Sequence, residues 1–95
     1  MKYRLLEPAQ RELQAAIDYY EHESPGLGGR FLDEFELTLE RVLQYPQAWA
    51  RISENHCRCR TRRFPYGVIY FVEGDVVVIS ALMHLHRHPD AWKKP

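Results

Sequence analysis

The chain has 95 residues and is formally neutral at pH 7, with 13 Lys or Arg against 13 Asp or Glu. That length and a 45% apolar content fit one small globular domain, expected to span 1–95, with a modest core. No run of about 18 apolar residues occurs, which excludes a membrane-spanning helix, and the lack of net positive charge argues against a protein that lives on bulk nucleic acid.

The charge is unevenly placed. Residues 1–50 carry five Lys or Arg against nine Asp or Glu, whereas residues 51–95 carry eight against four. An acidic helical half and a basic sheet half would give the domain two unlike faces. The opening Met1–Pro8 has neither the apolar stretch nor the cleavage site of a secretory signal, so a cytoplasmic location is expected. Cys57 and Cys59 are too close along a strand for bridging geometry and read as reduced thiols.

Residues 2–6 read as a short first strand, ended by Glu7-Pro8. Apolar residues at Ala9, Leu13, Ala16, Ile17 and Tyr20 then follow a helical period, predicting a helix from about 8 to 23 with Pro8 in its first turn. Ser24-Pro25-Gly26-Leu27-Gly28-Gly29 breaks it, with Ser24 expected to cap a second helix and Pro25 at its first position. Phe31, Phe35, Leu39, Val42 and Leu43 share one face of that helix, which should stop near Tyr45, before Pro46. Residues 46–56 read as a loop with Trp49 and Ile52 tucked against the core. The period then changes to 2. Strands are expected at Cys57–Phe64, Tyr66–Glu73 and Val76–Met83, with a hairpin turn at Glu73-Gly74-Asp75. The last two are apolar on nearly every residue and should be central. The order β-α-α-β-β-β predicts an α+β fold: an N-terminal strand and an antiparallel helical hairpin packed on a mostly antiparallel sheet of about four strands.

Arg58, Arg60 and Arg62 alternate along the first of these three strands and would project from one face roughly 7 Å apart. With Arg63 beside them, their planar forks suit phosphate or carboxylate, as offered by RNA or an acidic protein segment. The plainer use is a solvated edge strand guarded by charge. His84, His86 and His88, with Arg87, would share one side if the last strand persists that far. Such imidazoles serve as general acids and bases near neutrality, as metal ligands, or simply as a strand end ahead of Pro89. Tyr66, Tyr70 and Phe71 have faces that stack on bases, but a central strand makes them core. Tyr20 reads as core with Tyr19 flanking it, and Glu34 and Glu36 as a wet helix face. Gly26, Gly28 and Gly29 lie between helices rather than after a strand, so no nucleotide loop is present; neither a cofactor nor a metal is assigned.

In this order, the opening strand, Tyr19-Tyr20, Ser24-Pro25, Gly28-Gly29-Arg30-Phe31, Tyr45-Pro46, Arg63-Phe64-Pro65-Tyr66, Gly74-Asp75 and the ending His84, Arg87, Pro89, Trp92 resemble the RelE/ParE toxins of type II toxin–antitoxin modules. The resemblance spans nearly the whole chain and rests on the combination rather than on any one piece. It implies a cognate antitoxin that lays an extended or helical tail across the toxin's helices and sheet. Members that cleave mRNA on the ribosome carry an arginine just before a hydrophobic-hydrophobic-Tyr strand, where it stabilises the charged transition state. The matching position here is Gly67, ahead of Val68-Ile69-Tyr70, and the chain has only three lysines, two of them in its tail. The resemblance is therefore stronger to the ParE-like branch, whose members resemble gyrase poisons without established catalytic residues.

The expected function is a non-enzymatic toxin that inhibits growth by binding DNA gyrase or another large target. Its surface for target or antitoxin would comprise Arg58, Arg60, Arg62, Arg63, Tyr66, His84, His86, Arg87 and Trp92. The alternatives are a ribosome-dependent mRNA endoribonuclease using Arg63, His84, His86 and Arg87, and a module component without toxicity.

Overall fold

The computed structural model describes residues 1–86, which run β1 (Lys2–Leu5), α1 (Glu7–Glu23), α2 (Leu27–Gln44), β2 (Ala50–Arg51), β3 (Cys57–Arg60), β4 (Tyr66–Glu73) and β5 (Val76–His84). The strands form one five-stranded sheet in the order β1-β5-β4-β3-β2. β1 is parallel to β5 and every other pair is antiparallel, so the sheet is mostly antiparallel and β4 and β5 are both central. The one strand beyond the expected four is β2, which makes only the pairs Ala50–Arg58 and Arg51–Cys57. Two residues carry too short a pattern to stand out from a loop.

The helices form where the 3.6 period placed them, but the break between them differs from expectation. α2 begins at Leu27, with Gly26 preceding it at φ 88°, a left-handed conformation that glycine adopts without steric cost. Ser24 and Pro25 do not start α2; Ser24 ends α1 in an extended conformation. The capping carboxylate comes from α1, where Glu21 accepts N–H bonds from Gly26 at 3.0 Å and Gly28 at 3.1 Å. Its charge also suits the positive end of the α2 dipole. Gly28 marks the close approach of the two helices, since a Cβ there would stand 2.6 Å from the Ile17 carbonyl oxygen. α2 stops at Gln44, as Pro46 dictates.

The core lies between the helices and one face of the sheet. Phe31, Phe35, Leu39 and Val42 of α2 meet Val68, Tyr70, Val77, Ile79 and Leu82. Burying each such side chain contributes about 1.5–3 kcal/mol. The central Tyr70 is fully enclosed, and its hydroxyl donates to the Pro46 carbonyl at 2.6 Å. Trp49 and Ile52 pack as half-buried side chains on opposite faces of the sheet. Between the pairs Ile69–Ala81 and Tyr70–Ile79 the register shifts, leaving Ser80 as an extra residue on β5. This bulge changes the phase of the strand, so Ala81 and Met83 join Ile69 on the face away from the helices while Leu82 stays in the main core. The β4–β5 turn is made by Gly74, at φ 63°, and Asp75. Among the described residues, no helix is long and apolar enough to cross a membrane.

Candidate functional site

β3 ends at Arg60, four residues before the expected Phe64, and the chain turns sharply through residues 61–65. Thr61 closes this turn from within: its N–H donates to the Tyr66 carbonyl at 3.0 Å and its hydroxyl to the Phe64 carbonyl at 2.8 Å. Arg63 takes φ 69°, the one non-glycine residue with positive φ among those described. Such a conformation costs a bulky residue free energy and persists only when its surroundings hold it. Here α2 holds it. Glu34 accepts the Arg62 N–H at 2.7 Å, and Arg41 lies 3.6 Å from the same carboxylate oxygen. Arg41 also donates to Thr38 Oγ1 at 2.9 Å and reaches the Arg60 carbonyl at 3.5 Å.

This network draws a group of guanidinium side chains around one opening. Arg41, Arg58, Arg60 and Arg62, with Trp49 and Ala50, line a cavity of about 270 Å³ at the edge of β3. Arg58 and Arg60 are register partners of Ile69 and Gly67, respectively. Arg62 lies beyond the strand, so the expected straight row of three is instead a pair joined by one residue from the turn. Arg58 lies over Gly67, where a Cβ would come within 2.9 Å of its Cγ and Cδ. The absent side chain at 67 is thus the space that the Arg58 methylenes fill. Arg58 Nε is buried without a hydrogen-bond partner among the described residues. The Trp49 indole is fixed by its N–H, which donates to the Arg41 carbonyl at 3.3 Å.

The remaining candidates lie elsewhere. Arg63 lines a second, larger groove of about 630 Å³ between α2 and the turn, with Tyr20, Leu27, Arg30, Asp33, Phe64 and Pro65. Behind it, Tyr20, Phe31, Phe64 and Tyr66 form an aromatic cluster with centroids about 5 Å apart for most pairs. Tyr66 is buried and serves as a wall of that cluster. His84 packs edge-on against Tyr66 at 5.1 Å and against His86 at 5.8 Å. β5 ends at His84, so the expected histidine alternation stops there; the His86 N–H instead turns back to donate to His84 Nδ1 at 3.2 Å. That bond leaves Nε2 to carry the proton of a neutral His84 ring. Arg87, His88 and Trp92 lie outside the described residues. No group of three or more His, Cys, Asp or Glu among the described residues could hold a metal ion.

Burial governs the titrating groups beside the arginine cavity. It pushes the Cys59 thiol upward, and the nearby Arg41 and Arg62 pull the other way without prevailing. A protonated thiol is a poor nucleophile. Burial likewise raises the Tyr70 hydroxyl, helped by Cys57, which keeps it a hydrogen-bond donor.

Two participants escaped the sequence reading. Glu34 is buried rather than wet, and Arg41 was not singled out. The signal for Glu34 was present in its spacing, since it falls three residues after Phe31 and four before Thr38, on the buried stripe of α2. Arg41 follows Thr38 by three and continues the same stripe toward the turn. The spacing gives no hint that the two side chains meet the turn after β3.

No curated protein matches the chain in sequence. A solved structure described as "Chromosomal ParDE TA system from P. aeruginosa" is similar in fold, with a TM-score of 0.65 at 20% identity. The alignment covers 90% of this chain and 96% of that one. The family model described as "ParE toxin of type II toxin-antitoxin system, parDE" matches residues 3–89. With nearly its whole length matched, this chain belongs to the ParE toxin family and is a toxin component of the type II toxin–antitoxin class.

Proposed function

We propose that this toxin acts in the cytoplasm by binding DNA gyrase, that it inhibits growth by occupying the enzyme rather than by cutting nucleic acid, and that a cognate antitoxin neutralises it. The observation that carries this reading is Gly67. At the position where the resemblance expects an arginine in ribosome-dependent nucleases, even a Cβ would come within 2.9 Å of Arg58 and 3.1 Å of Leu85. A side chain there would have to displace Arg58, and the glycine that stands in its place supplies no anion-stabilising group at the point where cleavage would need it. The antitoxin has a separate apolar landing place. A groove of about 430 Å³ runs between β1 and α2, floored by Leu5, Leu13, Phe35 and Leu39, with Tyr3 and Leu32 exposed on it and Glu36 and Glu40 in its lining. It suits a tail that presents apolar anchors and basic flanks.

A supercoiling assay with purified toxin tests the target. Inhibition of gyrase at saturating toxin, relieved by the antitoxin, is expected, and undiminished supercoiling would overturn the assignment. The second reading, an mRNA endoribonuclease, draws on the His84 ring, whose Nδ1 accepts the His86 N–H, and on the arginines of the β3 cavity. Mapping the 5′ ends of a translated reporter separates the two. Cleavage that disappears in His84→Ala and Arg63→Ala would favour the enzyme, and intact message would favour gyrase.

A further inference from the structure

The arginine cavity at the β3 edge holds more positive charge than the fold can use. Arg41 has a carboxylate partner in Glu34, but Arg58, Arg60 and Arg62 make no ion pair among the described residues. Three guanidinium groups gathered without a counter-charge repel one another, and the cost rises where one of them carries a buried, unpartnered Nε. The backbone of each is nevertheless held in place, and the Arg58 side chain is packed, while those of Arg60 and Arg62 are exposed. Arg58 rests over Gly67, Arg60 belongs to the ladder with β4, and the Arg62 backbone is fixed by Glu34. Such prior ordering lowers the entropic cost of gripping an anion.

We propose that this cavity is a binding site for the phosphodiester backbone of a nucleic-acid strand. Its opening of about 270 Å³ is small for a drug-sized ligand but wide enough for a backbone phosphate with its sugar. The guanidinium forks match phosphate oxygens; Arg58 and Arg60 present them from alternate positions of β3, and Arg62 adds one from the turn. Trp49 decides between phosphate and carboxylate ligands. An indole in the same wall as the arginines offers a base or sugar a stacking face, which the carboxylates of an acidic peptide would not fill. The site contains no acid–base pair and is a grip, not a nuclease centre. Because the whole chain is neutral, binding rests on this one local cluster, and its salt dependence should be that of about three phosphate contacts. The inference holds whichever protein the toxin targets.

Fluorescence anisotropy of the full chain with a labelled single-stranded DNA oligonucleotide, its duplex form, and labelled poly-glutamate tests the site. Either oligonucleotide should bind at 50 mM salt and weaken by 200 mM, roughly 20-fold for the single strand and roughly 40-fold for the duplex, as three phosphate contacts predict. Arg60→Ala, at an exposed side chain, and Arg58→Ala should each weaken binding about tenfold, while Arg11→Ala on α1 should not. Tighter binding of the single strand or of the duplex identifies which form supplies the phosphate. Absence of oligonucleotide binding at 50 mM salt, equal effects of Arg60→Ala and Arg11→Ala, or tighter binding of poly-glutamate would each overturn the proposal. The last would reassign the cavity to an acidic peptide. Thermal melting of each variant confirms that a loss of binding is not a loss of fold.

Discussion

The two helices each send one carboxylate to the sheet, and the two destinations differ. From α1, Glu12 accepts the Leu82 N–H at 3.1 Å, on the stretch of β5 beyond the end of β1. From α2, Glu34 accepts the Arg62 N–H at 2.7 Å, in the turn beyond the end of β3. Both replace a ladder bond that the sheet cannot make there. Of these two, among the described residues, Glu34 alone has a guanidinium in ion-pair reach, that of Arg41 at 3.6 Å. Glu12 has no such close partner, and desolvation raises its carboxyl above the ordinary 4.5, against the opposing pull of the Leu82 N–H and Arg11. The same device thus closes an edge in one place and, with a cation added, fixes the backbone of a charged turn in the other. A third carboxylate, Glu21, does the comparable task for the start of α2.

Removing Glu34 should have the largest effect. Glu34→Ala leaves the Arg62 N–H and the partly buried Arg41 without their acceptor, and should cost about 3 kcal/mol in urea unfolding. A loss under about 0.5 kcal/mol would show the turn to be held by Thr61 alone. Glu12→Ala should cost less, about 1.5 kcal/mol, because solvent can reach part of that site. Glu21→Ala should cost about 1 kcal/mol, the usual worth of a helix cap, and should increase amide exchange at Gly26 and Gly28. The smallest effect at neutral pH is expected from Glu12→Gln, which retains an oxygen for the Leu82 N–H.

That last variant has a pH signature. Since the folded-state carboxyl of Glu12 lies above its ordinary 4.5, the folded protein binds more protons than the unfolded chain between those two values. The Glu12 contribution to stability therefore falls as pH rises through that window and is constant above it. Urea midpoints measured against pH should lose this component in Glu12→Gln. A difference between wild type and variant that stays constant across the window would show that folding does not raise the Glu12 carboxyl.

How much of this was legible in the residues depends on where the information sits. The helices and the β4–β5 hairpin follow from short-range periodicity and from the Gly74-Asp75 turn, and they occur where that pattern puts them. β3 is shorter than the alternation of Cys57 to Phe64 predicts, because the interruption comes from Thr61 bonding across to Tyr66. The start of α2 differs from the one Ser24, a common capping type, predicts, because the oxygen that caps comes from Glu21 on the neighbouring helix. Arg58, Arg60 and Arg62 stood out by residue type; their meeting with Arg41 and Trp49 depends on tertiary packing.

The parallel pairing of β1 with β5 also governs the order in which the molecule can be completed. Lys2 to Leu5 are made first, yet their partners Val76 to Ile79 are among the last described residues to be made. The helical hairpin depends on local contacts and can form early, whereas the sheet edge at β1 must wait for nearly the whole chain. During synthesis the growing toxin therefore exposes the apolar underside of its helices before any finished sheet exists to cover it.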